Sequence, residues 1–301
     1  MDTQTLKYIG KDLYKTHILK EWKRYIVFMT RCHLHKGQIN DLLDFFKATP
    51  QRQAMLEHTT SFVEQTTRAF FYKDSTWDER IAIVKNHIEY MENIFNDEAI
   101  AKLYVNGERI RLWEDVYEEQ PVVMELWFHG GQRKEGCLSL VLSLDADELY
   151  QIMFWLAPSP EDNELSLWIG ALQGTPNGSE IIKGLTKAFF GYRTKNLIFY
   201  GIRNVAAGLG CKHLYAVSNA GYYAMNHVRR DRKLKTSLDD FWQECEGQVC
   251  KDQRFFEMPI EEYRKSMEEL KPSKRAQHRR RFAKMDEITE SVTEVLNNYK
   301  K

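Results

Sequence analysis

Titratable side chains gather in three polar segments of the sequence, each next to an apolar run. The first segment starts at His129 and passes through two glycines to Glu135. Histidine titrates near neutral pH, and a nearby carboxylate orients its ring or acts as a base. We therefore predict that His129 is an acid or base, with Glu135 or Glu125 as its partner and Arg133 in substrate binding. The competing interpretation is an ordinary polar turn, since turns are rich in glycine and charge.

The second segment has the composition of an anion site. Its residues lie at the end of an apolar run and, beyond an intervening helical stretch, at the start of a second helical pattern. They offer amide donors, two cations and a hydroxyl, on Gln173, Gly174, Arg193, Thr194, Lys195 and Asn196. Backbone N–H groups at a helix start favour negative charge. We predict that these residues bind a pyrophosphate or a similar group, so that the cofactor is acyl-CoA or another phosphate-bearing acyl donor. In the alternative, Thr194 only caps the helix and the cations are solvated.

The third segment follows a short apolar run and brings hydroxyl and amide groups together. Ser218 and Asn219 end the run, and Tyr222 and Tyr223 come next. We predict catalytic roles for Ser218 and Tyr222, and substrate binding by Asn219, Tyr223 and the upstream Trp168. Two observations favour a structural role instead. Asparagine and glycine form turns, and tyrosines pack. Ser218 also lacks the glycine-flanked elbow of hydrolase nucleophiles.

Composition limits the classes of function. Lysine and arginine (43) balance aspartate and glutamate (43) over 301 residues, so nucleic-acid binding as a main function is disfavoured. Apolar runs are far shorter than the roughly 20 residues that span a bilayer, which leaves only peripheral membrane contact. The five cysteines are scattered, without C-x-x-C pairs or a signal peptide ahead of them. We predict a cytoplasmic protein without a metal site.

The amino-terminal third reads as helices. Thr76 and Glu79 form a capping-box pair before a clear helical repeat of apolar residues. Residues 14–29, 39–47 and 61–72 are predicted to form three further helices. We expect residues 1–105 to be a helical region, distinct from a second region at 106–301.

Near Ile110 the spacing of apolar residues changes from the helical three or four to every second residue. Alternation predicts strands at 122–129 and 138–144. An almost continuous apolar run predicts a central strand at 149–156 that is covered on both faces, and a strand at 165–172 completes the meander. Helices at 179–190 and 195–209 then lead to a strand at 211–218, which a crossover of that length makes parallel to its predecessor. The fold class is α+β, with a helical amino-terminal half packed on an antiparallel meander plus one parallel strand. The crevice at the ends of the parallel strands should receive all three polar segments.

The carboxyl-terminal part reads as helices with one extended piece at 255–259. Its main feature is a run without acids between Lys271 and Lys284 that holds seven lysines and arginines. Such a stripe binds phosphates, pairs internally with the acidic segment 114–119, or is simply solvated.

Seven blocks of sequence resemble the VirK/YbjX-like family of bacterial proteins. They span about half the chain in the family's order: FHGGQRKEG, IGALQG, LTKAFFGYRTKN, AVSN, DDFWQE, FFEMP and KPSKRAQHRRRF. The resemblance implies a domain of unknown function linked to virulence, envelope stress and antimicrobial-peptide tolerance. The family usually has histidine and proline where this chain has Phe190 and Thr194, so no role carries over to those positions.

The order of elements also resembles the acyl-CoA-dependent N-acetyltransferase superfamily, which makes the predicted architecture acyltransferase-like (GNAT-like). In that superfamily, a tyrosine after the last of these strands protonates the leaving thiolate, which Tyr222 or Tyr223 would do here. The helix at 179–190 is an addition to that pattern. We predict a bacterial group-transfer enzyme that acts on a small molecule or peptide. The alternative is a regulatory or adaptor protein whose basic carboxyl-terminal segment binds nucleic acid, a membrane surface or a protein.

Overall fold

The computed structural model describes residues 3–129, 132–175, 178–226 and 236–301. Seven helices precede the first strand in this part of the chain: α1 (Thr3–Leu13), α2 (Leu19–Leu34), α3 (Lys36–Lys47), α4 (Pro50–His58), α5 (Ser61–Thr67), α6 (Trp77–Ile94) and α7 (Asp97–Ile100). A π-helical turn at Ala101–Val105 follows. The capping box predicted at Thr76 and Glu79 is present at the start of α6.

An eight-stranded sheet fills the middle of the described chain. Its strands are β1 (Arg109–Tyr117), β2 (Gln120–Trp127), β3 (Leu138–Leu144), β4 (Asp147–Pro158), β5 (Leu165–Gly174), β6 (His213–Val217), β7 (Gln248–Val249) and β8 (Phe255–Met258), in the order β1-β2-β3-β4-β5-β6-β8-β7. Among the strands of the described residues, only β5 and β6 pair in parallel. The predicted meander, its central strand and the parallel strand are therefore confirmed.

Helices cover both faces of this sheet. The crossover helices α8 (Ser179–Ala188) and α9 (Thr194–Gly208), with α10 (Leu238–Glu244) and α11 (Pro272–Tyr299), complete the fold. On one face, Gly201 of α9 packs against Met124 and Leu140. On the other face, α6 packs along β4. Because direct partners across strands share a face, each face can be followed from register alone.

Several predicted boundaries differ from the structure. Helix α2 begins at Leu19 rather than at residue 14, and α5 ends at Thr67. The sequence patterns missed α1, α4 and β1. Thr194 was expected to cap α9, but Arg193 occupies the cap position and no side-chain cap is made. Gly210 follows the end of that helix with a positive φ of 80°, a backbone conformation that favours glycine.

A buried histidine connects α6 to the sheet. His87 accepts a hydrogen bond from the Leu156 N–H at Nδ1 (3.1 Å), and its Nε2 lies 2.7 Å from the Tyr104 hydroxyl. The accepted bond fixes the proton on Nε2, so the ring is neutral. Burial lowers the pKa of His87 to about 3.

We expect this histidine to make the protein less stable in acid. The unfolded chain takes up a proton near pH 6.5 and the folded chain does not, so stability is full above that pH and falls below it. The free energy of unfolding should be about 2 kcal/mol lower at pH 5 than at pH 7.5 because of this group. Urea unfolding of wild type and His87→Gln at both pH values measures it. Equal pH dependence in the two proteins would contradict the assignment.

Candidate functional site

Two side chains from distant parts of the chain meet at the buried carboxylate of Glu135. The Tyr222 hydroxyl donates a 2.6 Å hydrogen bond to Oε1 of Glu135. Gln173 Nε2 lies 2.9 Å from both carboxylate oxygens. The Glu135 side chain is buried, whereas Gln173 at the end of β5 is exposed. The carboxylate is therefore one side chain away from the protein surface.

The surroundings of this carboxylate change its acidity. Burial raises the pKa of Glu135, although the bonds from Tyr222 and Gln173 and the charge of Lys134 act in the opposite direction. Burial and the neighbouring carboxylate raise the pKa of Tyr222, which keeps its proton. A base stronger than an ordinary glutamate thus contacts a protonated tyrosine, as proton-transfer sites require.

A missing side chain on β5 makes room for the segment that carries Glu135. A Cβ atom at Gly170 would lie 1.8 Å from the Glu135 carbonyl oxygen, so only glycine fits there. Gly170 is also the extra residue where the β4–β5 register shifts. The pairing of β5 with β6 ends one residue before Gly170, at Ile169 and Ala216, while β5 continues to Gly174. We call this opening the strand gap, and Gln173 and Tyr222 bind Glu135 from its two sides.

His129 lies on the same face of the sheet, connected through a glutamine. The His129 Nε2 is 2.6 Å from Gln151 Nε2, and Gln151 is the direct partner of Gln173 across β4 and β5. Gln151 also donates to Ser139, which in turn donates to the buried Gln132. The His129 ring stacks on Trp127 at 4.2 Å, and burial lowers the pKa of His129. The two glycines predicted at this hairpin tip lie outside the described residues.

Arg133 belongs to a separate ion-pair network. Its guanidinium donates to the buried Glu64, which also accepts a 2.7 Å hydrogen bond from Tyr14 and pairs with Arg68. This network attaches α5, and Tyr14 directly after α1, to the segment that carries Glu135.

Two of the predicted polar residues have structural partners. The Ser218 hydroxyl donates to the Gln253 carbonyl and accepts from the Gly221 N–H, which defines the turn after β6. Asn219 accepts from the Leu238 N–H and donates to Ser237, so it holds the start of α10. Tyr223 packs edge-on against Phe70 at 5.9 Å. These contacts agree with the structural interpretation of this segment, in which Asn219 belongs to a turn and the tyrosine packs.

The start of α9 lies on the opposite face of the sheet from Glu135 and is directed toward α10. Arg193 pairs with Glu244 at 2.8 Å, and the Lys195 ammonium lies 3.8 Å from the centre of the Phe241 ring. Burial lowers the pKa of Lys195. Thr194 is fully buried, and Asn196 approaches the Cys245 sulfur. Gly174 ends β5 opposite Tyr150. The predicted single crevice is therefore divided, because the sheet separates Glu135 from these two cations.

The basic run falls on α11 and is partly neutralised. Lys284 pairs with Asp115 at 3.0 Å, as the internal-pairing interpretation expected, and with Glu287 at 2.6 Å. Arg281 donates to the Phe190 carbonyl. The exposed members are Lys271, Lys274, Arg279 and Arg280.

Sequence reasoning missed most of a large aromatic cavity. The cavity lies between α6 and strands β4, β5, β6 and β8, and of its lining only Trp168 had been predicted as a binding residue. Trp155, Trp168 and Tyr215 are direct partners across three adjacent strands. If the register of these strands had been known from the sequence, it would have placed the three rings in one row. Half-buried Cys250 also lines the cavity, while the other four cysteines are buried and no disulfide is formed among the described residues.

The described ranges hold neither a metal-binding cluster nor a membrane-spanning helix. No group of three or more histidine, cysteine, aspartate or glutamate side chains there is arranged to hold a metal ion. None of the helices described is both long enough and apolar enough to cross a bilayer.

Comparison with known families decides where the chain belongs. The model of the DUF535 family, whose description is "Protein of unknown function", matches residues 17–294. The chain belongs to the DUF535 family. The resemblance to the VirK/YbjX-like family is thereby confirmed. Other DUF535 members are therefore the proper comparison for the geometry described above.

Two curated relatives agree with this assignment. The chain is 31% identical over 195 residues to uncharacterized protein YbjX of Escherichia coli, an alignment that covers 62% of this chain and 57% of YbjX. It is 22% identical over 269 residues to an uncharacterized protein of Haemophilus influenzae, covering 87% of each chain. No solved structure matches this DUF535 chain.

Gly170→Ala tests whether the close approach at the strand gap positions Glu135. The added Cβ meets backbone atoms that cannot rotate away, so we expect a loss of about 1–3 kcal/mol in the free energy of unfolding. Gly37→Ala in α3 is the matched control, because nothing lies within 4 Å of its Cβ position. Urea unfolding compares them. Equal stability of the two variants would mean that the segment with Glu135 shifts at little cost.

Proposed function

We propose that this protein is a group-transfer enzyme of acyltransferase type, in which Glu135 and Tyr222 move protons at the strand gap. One observation carries the proposal: a buried carboxylate with a raised pKa accepts a short hydrogen bond from a tyrosine beside an exposed edge. Resemblance to the acyl-CoA-dependent N-acetyltransferase superfamily supports the reaction class. A cytoplasmic location belongs to the same proposal.

The proton route follows from the geometry. An acceptor amine or hydroxyl attacks the acyl carbonyl and loses its proton to Glu135. The bond from the acceptor to the acyl carbon forms, the bond to the leaving group breaks, and Tyr222 gives its proton to the leaving group. Glu135 then returns the acceptor's proton to Tyr222 through their 2.6 Å hydrogen bond. The pair ends in its starting state, and Gln173 keeps the carboxylate oriented throughout.

The donor site is a separate part of the proposal. A phosphate-bearing acyl donor would supply the activated acyl group, and the first turn of α9 is its predicted position. The two cations there do not fit a pyrophosphate as they stand, because Arg193 is paired with Glu244 and Lys195 lies over Phe241. The proton route above therefore uses no contact with the donor's phosphates.

We expect Glu135→Gln and Tyr222→Phe each to lower turnover by about 100-fold or more, since each removes one proton carrier. Tyr192→Phe is the matched control, because Tyr192 donates to Glu262 at 2.5 Å in a part-buried tyrosine–carboxylate pair away from the strand gap. The assay measures free thiol released from a panel of acyl-CoA donors, with amine and hydroxyl acceptors. Molecules that co-purify with the protein, identified by native mass spectrometry, guide the choice of acceptors.

Two results would reject the enzymatic proposal. One is the absence of turnover by the wild type with every donor, and the other is equal turnover by Tyr222→Phe and Tyr192→Phe. The exposed cations of α11 favour the adaptor alternative in that case. Arg279→Glu with Arg280→Glu separates the two functions, because charge reversal spares turnover but abolishes binding to a polyanion.

A further inference from the structure

The aromatic cavity has the dimensions of a small-molecule site. Its volume is about 790 Å³, within the range of sites that enclose drug-sized ligands. Five aromatic residues line it, and they come from the α5–α6 connection, β4, β5, β6 and β8: Tyr72, Trp155, Trp168, Tyr215 and Phe255. The Trp168 ring contacts Tyr215 at 4.2 Å and meets the edge of Phe255 at 5.0 Å. The rings brace one another, so the apolar wall is already formed.

One polar group in this wall has no partner. The Trp168 Nε1–H is buried and makes no hydrogen bond within the described structure. A buried donor without an acceptor is costly, and native structures leave few of them. Trp168 lines the cavity, so a small movement of its ring would bring this buried donor within reach of an acceptor oxygen on a bound molecule.

Three of the charged groups that line the cavity have partners within the protein. Arg254 contacts Asp252 through both Nε and Nη2 at 2.7–3.0 Å and also donates to the Lys73 carbonyl. Glu79 accepts a 2.6 Å hydrogen bond from the Thr76 N–H in the capping box. These three groups need no counter-ion from a ligand, and the other two charges of the lining, Glu161 and Lys251, are of opposite sign. The cavity therefore favours an uncharged molecule.

We propose that this cavity binds a neutral molecule with an apolar body and one acceptor oxygen, which the Trp168 Nε1–H contacts. The rings supply the apolar contact area, and the single donor fixes the orientation of the ligand. This inference goes beyond the proposed transfer reaction and does not depend on it.

Two probes that differ in one carbonyl group test the contact. Prodan is a neutral naphthalene with a propionyl oxygen, and 2-dimethylaminonaphthalene is the same body without it. We expect Trp168→Phe to weaken prodan binding by about five- to ten-fold and to change the affinity for the second probe by less than about two-fold. Fluorescence titration measures both. Equal weakening of both probes, or no binding of either by the wild type, would overturn the proposal.

A variant that blocks the entrance of the aromatic cavity tests where the probe binds. Ala82 is an exposed residue of α6 that lines the cavity, so Ala82→Trp should weaken prodan binding by about ten-fold or more without disturbing the core. Glu89→Trp, an exposed position of α6 that does not line the cavity, is the matched control. Unchanged prodan affinity in Ala82→Trp would show that the probe binds elsewhere, against the proposal.

An independent observation concerns the surface of α2. Five large apolar side chains of this helix are exposed, including Leu19 at 70% and Leu34 at 74%, with Trp22, Ile26 and Val27 between them. At 100° per residue they occupy one side of the helix, while Phe28 and Cys32 on the other side are buried. We call these five residues the α2 apolar face. Exposed apolar clusters of this kind mark interaction surfaces.

The charge around the α2 apolar face is positive. Residues 3–34 contain seven lysines and arginines against two acids, Asp12 and Glu21. Lys20 and Lys23 are exposed beside the face, whereas Glu21 is already paired with Arg24 at 2.5 Å. An amphipathic helix with lysines beside an exposed apolar side matches the chemistry of an anionic lipid surface.

We infer that the α2 apolar face rests on an anionic membrane. Co-sedimentation with vesicles of phosphatidylglycerol and phosphatidylcholine, compared with pure phosphatidylcholine, measures the binding. Trp22→Ser with Ile26→Ser should reduce it by about ten-fold or more, and 0.5 M NaCl should weaken it further.

Val116→Ser on β1 is the matched control, because Val116 is exposed and apolar but distant in sequence from α2. It should leave vesicle binding unchanged. Absence of sedimentation with anionic vesicles would overturn the inference. A concentration-dependent dimer that the α2 double variant abolishes would also overturn it, because a second copy would then cover this face.

Discussion

The strand gap exists because one position of β5 has no side chain. Gly170 admits the backbone of Glu135 against the sheet, and pairing between β5 and β6 ends one residue earlier. The carboxylate that enters cannot remain unpartnered in a buried position, and Gln173 and Tyr222 are the donors within reach. Burial, acidity and hydrogen bonding at the site thus derive from a single steric fact.

The sheet separates two kinds of chemistry. On one face, polar side chains from β2 to β5 lead toward Glu135, and the aromatic row of Trp155, Trp168 and Tyr215 follows on the same side. On the other face, α9 packs tightly enough that Gly201 lies against Met124. Arg193 and Lys195 belong to this second side, where α10 provides their partners. A cofactor that used both sides would have to pass the end of β5.

Local pattern was sufficient for much of the fold. Alternating residues identified β2 and β3, apolar runs identified β4 to β6, and the capping box identified α6, because all these signals depend on neighbours in sequence. Helix α4, polar on most sides, and the short edge strand β7 give little periodicity. Glu135, Gln173 and Tyr222 were each proposed from their chemistry, but under different roles. Their contact joins residues 87 positions apart and depends on the register shift at Gly170, which no local pattern reveals. The exposure of the α2 apolar face could likewise not be predicted, since the periodicity of a sequence does not say which side of a helix is covered.

The distribution of the thiols has a practical consequence. Burial raises the pKa of Cys32, Cys211 and Cys245 to about 12, so these sulfurs are both neutral and inaccessible, and Cys137 is buried as well. Cys250 differs because it is half-buried and lines the aromatic cavity. A maleimide dye would react first at that position. The native chain thus carries its own attachment point for a spectroscopic reporter of cavity occupancy, without any engineered cysteine.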